Sequence, residues 1–311
     1  MRTHILILIM IFTCACTDMA PQRQELSVVP AAGTKGVVPA ETLVDDATGD
    51  RPLTLSGWMI GNGGQEGNFF VGYEFRRDGT SQRWRHTPPV YLPVESRLDL
   101  LGYSSSAPFD DADVTWGWPN SAERFRLVFG PERLDDDVLF GASYGVTSAT
   151  GMAQMRMEHS QALIEVRFVR DAAAYDTPVY IRAITLEEVF TSGELTVEAN
   201  SGLPYGTWKT RRFVAEDLVM PDGGLVYGHN VTTSLSSLRV LLPEQAQTAI
   251  VIDYDVDGEL KTWRYDLPHT DWVIGRHYIY DIIFDPVQAG NLSLTVTVAD
   301  WNSGEPFNES I

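Results

Sequence analysis

The chain has 311 residues, 44% of them hydrophobic, 21% charged and 11% aromatic, with 26 Gly and 17 Pro, a composition that excludes disorder and collagen and calls for buried cores. Forty-two acidic against 23 basic side chains leave a net charge of −19, so the average surface repels phosphate backbones and anionic headgroups, and nucleic acid is not expected as a partner. At roughly 100–200 residues per domain, the length points to two cores.

Arg2 precedes an unbroken apolar run over residues 5–12, followed by Thr13-Cys14-Ala15-Cys16-Thr17-Asp18. Such a run is too short to span a bilayer and reads as a signal peptide, residues 1–15. Small Ala15 before Cys16 resembles the lipobox of bacterial lipoproteins, which makes Cys16 the expected lipidation site and first mature residue. A secretory cut elsewhere, or acylation of Cys14, are the alternatives. Both cysteines of the chain lie here, so the mature fold has no thiol for a disulfide, a zinc site or a nucleophile. The membrane is expected to be met through the lipid alone.

Residues 16–52 form a lipidated N-terminal segment with one short apolar strand, residues 26–29, and then a Pro/Gly/Ala-rich stretch. Beyond it, period-2 alternation recurs with Gly, Pro, Asn and Asp at the breaks, and helical periodicity is almost absent. Strands are expected at residues 53–60, 69–75, 98–103, 125–129, 163–168, 179–186, 238–242, 250–256, 260–267, 278–284 and 292–298. Ile250, Ile252, Tyr254 and Val256 share one face before an Asp257-Gly258 turn. The spacing of turn signals suits antiparallel sandwiches and not β-α-β units. A shift to Gly, Ser, Thr and Ala over residues 143–154 places the boundary between an N-terminal sandwich, residues 53–152, and a C-terminal one, residues 153–311.

Catalytic and metal motifs are weak. Gly141-Ala142-Ser143-Tyr144-Gly145 matches a nucleophile elbow, but no helix follows to aim the serine, and Ser143 reads as a polar residue at a domain junction. Asp253-x-Asp255-x-Asp257-Gly258 opens like a calcium loop, yet Arg264 stands where a bidentate Glu is needed, and the aspartates suit the outer face of a hairpin. The clusters Asp110-Asp111-x-Asp113 and Asp135-Asp136-Asp137 read as solvated turns. His86, His229, His269 and His277 have no partner at metal-ligand spacing. Trp116 and Trp118 could form an aromatic platform or belong to the core. No cofactor, metal or catalytic site is expected, and the chain is read as non-enzymatic.

Several segments together resemble the fimbrillin-like proteins of Bacteroidales, which build type V pili. They are Gly33-Thr34-Lys35-Gly36 after the first strand, Trp84-Arg85-His86-Thr87-Pro88-Pro89-Val90-Tyr91-Leu92-Pro93, Leu98-Asp99-Leu100-Leu101-Gly102-Tyr103, Met157-Glu158-His159-Ser160-Gln161-Ala162-Leu163, Ile184-Thr185-Leu186 with Ser192-Gly193, Leu242-Pro243-Glu244-Gln245, and the closing Val298-Ala299-Asp300-Trp301. The resemblance implies two consecutive β-sandwich domains of transthyretin-like Greek-key topology, exported as an outer-membrane lipoprotein that serves as stalk, tip, anchor or accessory subunit in adhesion. It implies other fimbrial subunits and a maturation protease as partners. In such subunits a protease that cuts after a basic residue removes the first strand, and a neighbour's strand fills the groove.

Carried onto this chain, the removable strand holds Leu26, Val28 and Val29. Arg51 and Lys35 are the candidate cleavage residues: Arg51, the preferred one, suits an arginine-specific protease and spares the strand starting at Leu53, while Lys35 lies in the matching segment. The tail after Trp301 holds Gly304 and Pro306 and is a weak strand former, so the candidate donor is the last long strand, with Leu292, Leu294, Val296 and Val298. If an incoming strand buries four or five side chains at about 1.5–3 kcal/mol each, the gross gain is on the order of 10 kcal/mol. The alternative is a monomeric surface lipoprotein binding glycan or host protein.

Overall fold

A computed structural model describes residues 23–30, 51–61, 66–79, 83–117, 123–170, 179–200, 203–209, 213–220, 226–227, 237–256, 258–268, 270–284 and 292–301. Its 22 strands, numbered β1–β22 in chain order, are joined by a 3-10 turn at Pro131–Arg133, and no α-helix occurs among the described residues. The all-β expectation holds, and every apolar run expected as a strand is one.

The first unit is a closed barrel of seven strands: β1 (Ser27–Pro30), β4 (Trp84–Arg85), β3 (Glu66–Arg77), β2 (Leu53–Gly61), β5 (Ser96–Ser104), β8 (Leu139–Val146) and β9 (Met152–His159), in that spatial order. A second sheet packs against its outer face, ordered β13 (Leu203–Lys209), β12 (Gly193–Asn200), β7 (Glu123–Phe129) and β6 (Val114–Trp116). The adjacent Leu100 and Leu101 of β5 follow from this, because that part of the strand is buried on both faces. Leu98 and Leu100 join the barrel interior with Leu53, Leu55 and Phe75. Leu101 and Tyr103 face the second sheet with Phe125, Phe129 and Val197.

The second unit is a sandwich. One sheet runs β16 (Ser237–Leu242), β10 (Ala162–Arg170), β21 (Arg276–Phe284), β22 (Leu292–Asp300); the other runs β14 (Glu216–Val219), β11 (Val179–Val189), β18 (Ala249–Val256), β19 (Glu259–Asp266), with β15 (Val226–Tyr227) also on β11. Ile250, Ile252, Tyr254 and Val256 of β18 do share one buried face, packed on Ile164, Val166, Phe168 and Ile282. Short strands β17 (Gln245–Ala246) and β20 (Asp271–Trp272) close one end. There Trp272 Nε1 donates to the Tyr280 hydroxyl at 2.7 Å in the core. Burial pushes that phenol's pKa far up, so it stays protonated and able to bond Gln247.

Three sequence expectations need correction. Residues 143–154 do not mark the boundary between the units: β8 runs through Ser143, Thr147–Thr150 form a tight turn, and β9 returns beside β8 in the same barrel. The two glycines there, Gly145 and Gly151, take positive φ angles of 69° and 62°, which favour glycine. The chain passes between units at Ser160-Gln161, not at residue 152. Second, the β12–β13 hairpin, expected in the C-terminal domain, pairs with β7 through Val197 opposite Phe125 and completes the N-terminal unit. Third, not every pairing is antiparallel: β1 runs parallel to β9, and β10 parallel to β21.

Candidate strand-exchange site

The approach to β1 is held on one side by a short ladder. The Leu26 amide donates to the Val90 carbonyl and the Leu92 amide to the Gln24 carbonyl, both at 2.8 Å, around a bridge between Glu25 and Tyr91. The strand then inserts between β4 and β9. Val28 stands opposite Trp84, while Ser27 through Pro30 register with Met152 through Met155. Ser27 Oγ adds a bond to the Gly151 carbonyl at 3.3 Å. Leu26 and Val28 are sealed in the barrel core with Phe75, Trp84, Leu92, Ala153 and Met155, whereas Val29 faces outward and is half-buried.

The first strand is therefore an interior strand of its sheet, bounded on both sides, and not an edge ribbon. Without it, β4 and β9 would face each other across a slot lined by Trp84, Ala153 and Met155, with unpaired amides and carbonyls along β9. That slot is longer than the strand filling it, since β1 covers four of the eight residues of β9.

Arg51, just before β2, is not the free loop side chain expected of a protease target. Its guanidinium bonds Asp136 at 3.0 Å, with the two side chains only 11% and 5% exposed. Its carbonyl accepts from Trp84 Nε1 at 3.1 Å. Asp136 also accepts from Arg133 at 2.6 Å and from the Ser106 amide and hydroxyl at 2.8 and 2.6 Å. This acidic cluster, expected as a solvated turn, is thus a buried ion network. One guanidinium, Arg133, lies three residues before Asp136, but the other, Arg51, comes from far upstream, so the local sequence announces only half of the network. Neighbouring Asp137 accepts from His159 Nδ1 at 2.8 Å. Lys35, Cys16 and the tail after Trp301 lie outside the described residues.

At the other end of the chain, β22 pairs β21 through nine successive residues in unbroken register and forms the end of its sheet. Leu292, Leu294 and Val296 half-bury against the core, alternating with exposed Ser293, Thr295 and Thr297, and Val298 is 53% exposed. The strand has no charge before Asp300, no proline and no bulge, which are the usual protections of a free edge. By contrast, β19 at the end of the facing sheet carries Lys261 and Arg264.

The competing sites take other shapes. Ser143 lies within β8, 8% exposed, so the strand–turn–helix of a nucleophile elbow is not formed. Asp253 is bonded by Thr262 and Asp255 is paired with Arg182; Asp257 lies outside the described residues, among which no metal-competent cluster occurs. Trp116 packs on Tyr103 and Phe125, with centroids 6.2 and 5.3 Å away, as part of the second core; Trp118 lies outside the described residues. His277 is buried and bonds Glu165 at 2.7 Å.

The described residues thus form two β units, the first barrel closed by a strand from far upstream and the second ending, among the described residues, on an edge strand. The family comparison fits that geometry. The model of the fimbrillin-like family matches residues 45–301, and the chain belongs to that family. Among solved structures, it is similar to a candidate cell adhesion protein from Bacteroides uniformis, with a TM-score of 0.57 and 14% identity over 90% of this chain and 98% of that one. The same values hold for a second such protein from Bacteroides ovatus. The tip fimbrial protein Mfa3 from Porphyromonas gingivalis is more distant, with a TM-score of 0.45 and 11% identity over 89% and 100%. No curated protein matches the chain.

Proposed function

We propose that this chain is a non-enzymatic structural subunit of a surface fimbria, delivered to the outer membrane by a lipid on Cys16, in which β1 is a placeholder removed by proteolysis. The observation that carries this reading is the place of Leu26 and Val28: both are sealed in the barrel core, yet they reach it from beyond residues 31–50. A cut in that connection frees β1 without breaking the rest of the barrel. Lys35 is the cleavage residue in this reading, because Arg51 is locked to Asp136 and a protease would have to unfold the start of β2 to reach it.

The exchange runs downhill for a physical reason. β1 and its approach bring two core side chains to the slot, Leu26 and Val28, while β22 offers four at alternate positions, Leu292, Leu294, Val296 and Val298. At about 1.5–3 kcal/mol per buried side chain, two additional side chains favour the donor by roughly 3–6 kcal/mol before ordering costs. The partners are other fimbrial subunits and the maturation protease, and the assembled fibre supports adhesion.

N-terminal analysis of protein taken from the cell surface tests this. A chain starting directly after Lys35, running as a heat-sensitive ladder on unheated gels, is the expected result. A monomeric species starting at Cys16 would overturn it.

A further inference from the structure

Trp301 has no role in the barrel slot, yet it is buried, with 3% of its surface exposed. Its ring lies flat on the imidazole of His159, with centroids 3.6 Å apart and planes 11° from parallel. It also packs against Leu163 and Leu241 on the face of the C-terminal sheet turned away from the main core. Its amide donates to the Gly275 carbonyl at 3.0 Å, and the Gly275 amide donates to the Gln161 carbonyl at 3.0 Å. The residue directly after β22 is thus fastened to the passage between the two units.

His159 is in turn held from the N-terminal unit. It ends β9, and its Nδ1–H donates to buried Asp137, the neighbour of the aspartate that ties Arg51 to Arg133. A flat aromatic stack and a carboxylate bond together leave the imidazole one position. The other holds on β22 are the nine-residue ladder to β21 and the Arg276–Asp300 ion pair; among the described residues no strand lies along its outer edge, its apolar side chains are half-buried, and Val298 is mostly in solvent.

We infer that Trp301 and His159 form a latch that keeps β22 in its own sheet, so that release of the last strand requires the indole to leave the junction between the units. The latch rests on the reading of β22 as the strand that is passed on. It places control of strand release at a site apart from both the barrel slot and the free edge. It also connects the end of the chain, through His159 and Asp137, to the loop that anchors the start of β2.

Hydrogen exchange on the full monomeric chain tests the latch. In Trp301→Ala and in His159→Ala, the amides of β22 should exchange about tenfold faster or more, while β10 and β18 keep their rates, since local opening is governed by the contacts that hold one segment. Trp301→Phe keeps a stacking ring and should restore most of the protection. Unchanged exchange in β22, or equal acceleration in β10, β18 and β22, would overturn the proposal. A separate assay, with matured chains lacking β1 mixed with Trp301→Ala chains, reads strand donation. If β22 is loosened but never pairs with a second copy, the latch stands and the donor reading falls.

Discussion

Val28 and Trp84 face each other across the β1–β4 pair, and neither is accessible to solvent. Trp84 is thereby wall and lid at once: its ring packs on β1 while its Nε1 holds the Arg51 carbonyl at the start of β2. Truncating the inward residues should be expensive and truncating the outward one should not. Leu26→Ala is expected to cost about 2–5 kcal/mol in denaturant unfolding, with Val28→Ala near the lower end. Val29→Ala should fall within about 0.5 kcal/mol of wild type. Equal losses at all three positions would mean that β1 does not sit in this register.

The Asp136 carboxylate is shared by two largely buried guanidiniums and by the amide and hydroxyl of Ser106, a residue that itself faces solvent. Asp136→Ala would strand two buried cations, and a loss of about 3–5 kcal/mol is expected. Arg51→Gln should cost less, because Arg133 still neutralises the carboxylate. Urea midpoints for the two variants, measured side by side, give the ordering, and a reversed order would show that the network is not built around the aspartate.

Because β12–β13 belongs to the barrel's second sheet, damage to it should appear in the N-terminal unit. Val197→Ala leaves a cavity against Phe125 and is expected to raise hydrogen exchange in β7 and β5 well before β18 or β10 respond. Acceleration confined to the C-terminal sandwich would contradict this pairing.

Glu165 carries a pH dependence with a defined sign. Burial is the largest single influence and pushes its carboxyl up, but the His277 hydrogen bond, the Arg239 charge and then those of His277 and Arg167 outweigh it, and the pKa lies below its ordinary 4.5. A carboxylate whose pKa is lowered by folding stabilises the fold above its unfolded value, and that contribution disappears as pH falls through the lowered one. Glu165→Gln should therefore lose less stability than wild type between pH 5 and about pH 3 in acid-unfolding series. Parallel curves would mean that the carboxylate is not the group whose protonation weakens this sheet.

The local pattern of this chain sufficed for its clearly alternating strands, but β8, β9, β12 and β13 were not among those expected. Alternation in β18, in β22 and at Leu26 and Val28 is a property of neighbouring residues, and it specifies both an extended backbone and the face that must be buried. The candidate slot was half legible for the same reason: the alternating apolar residues of β1 and β22 stand out in the sequence, while Trp84, Ala153 and Met155, which line the place β1 occupies, lie in segments that carry no sign of meeting it.

Pairing is a property of distant residues, and there tertiary structure decided. Only the folded chain sets β1 parallel to β9, moves the β12–β13 hairpin across the expected domain boundary onto β7, and turns Arg51 from a loop cation into the partner of a buried aspartate. The reason is that strand register, charge compensation and the stack of Trp301 on His159 depend on which surfaces a closed core brings within a few ångströms, and no window of consecutive residues contains that information.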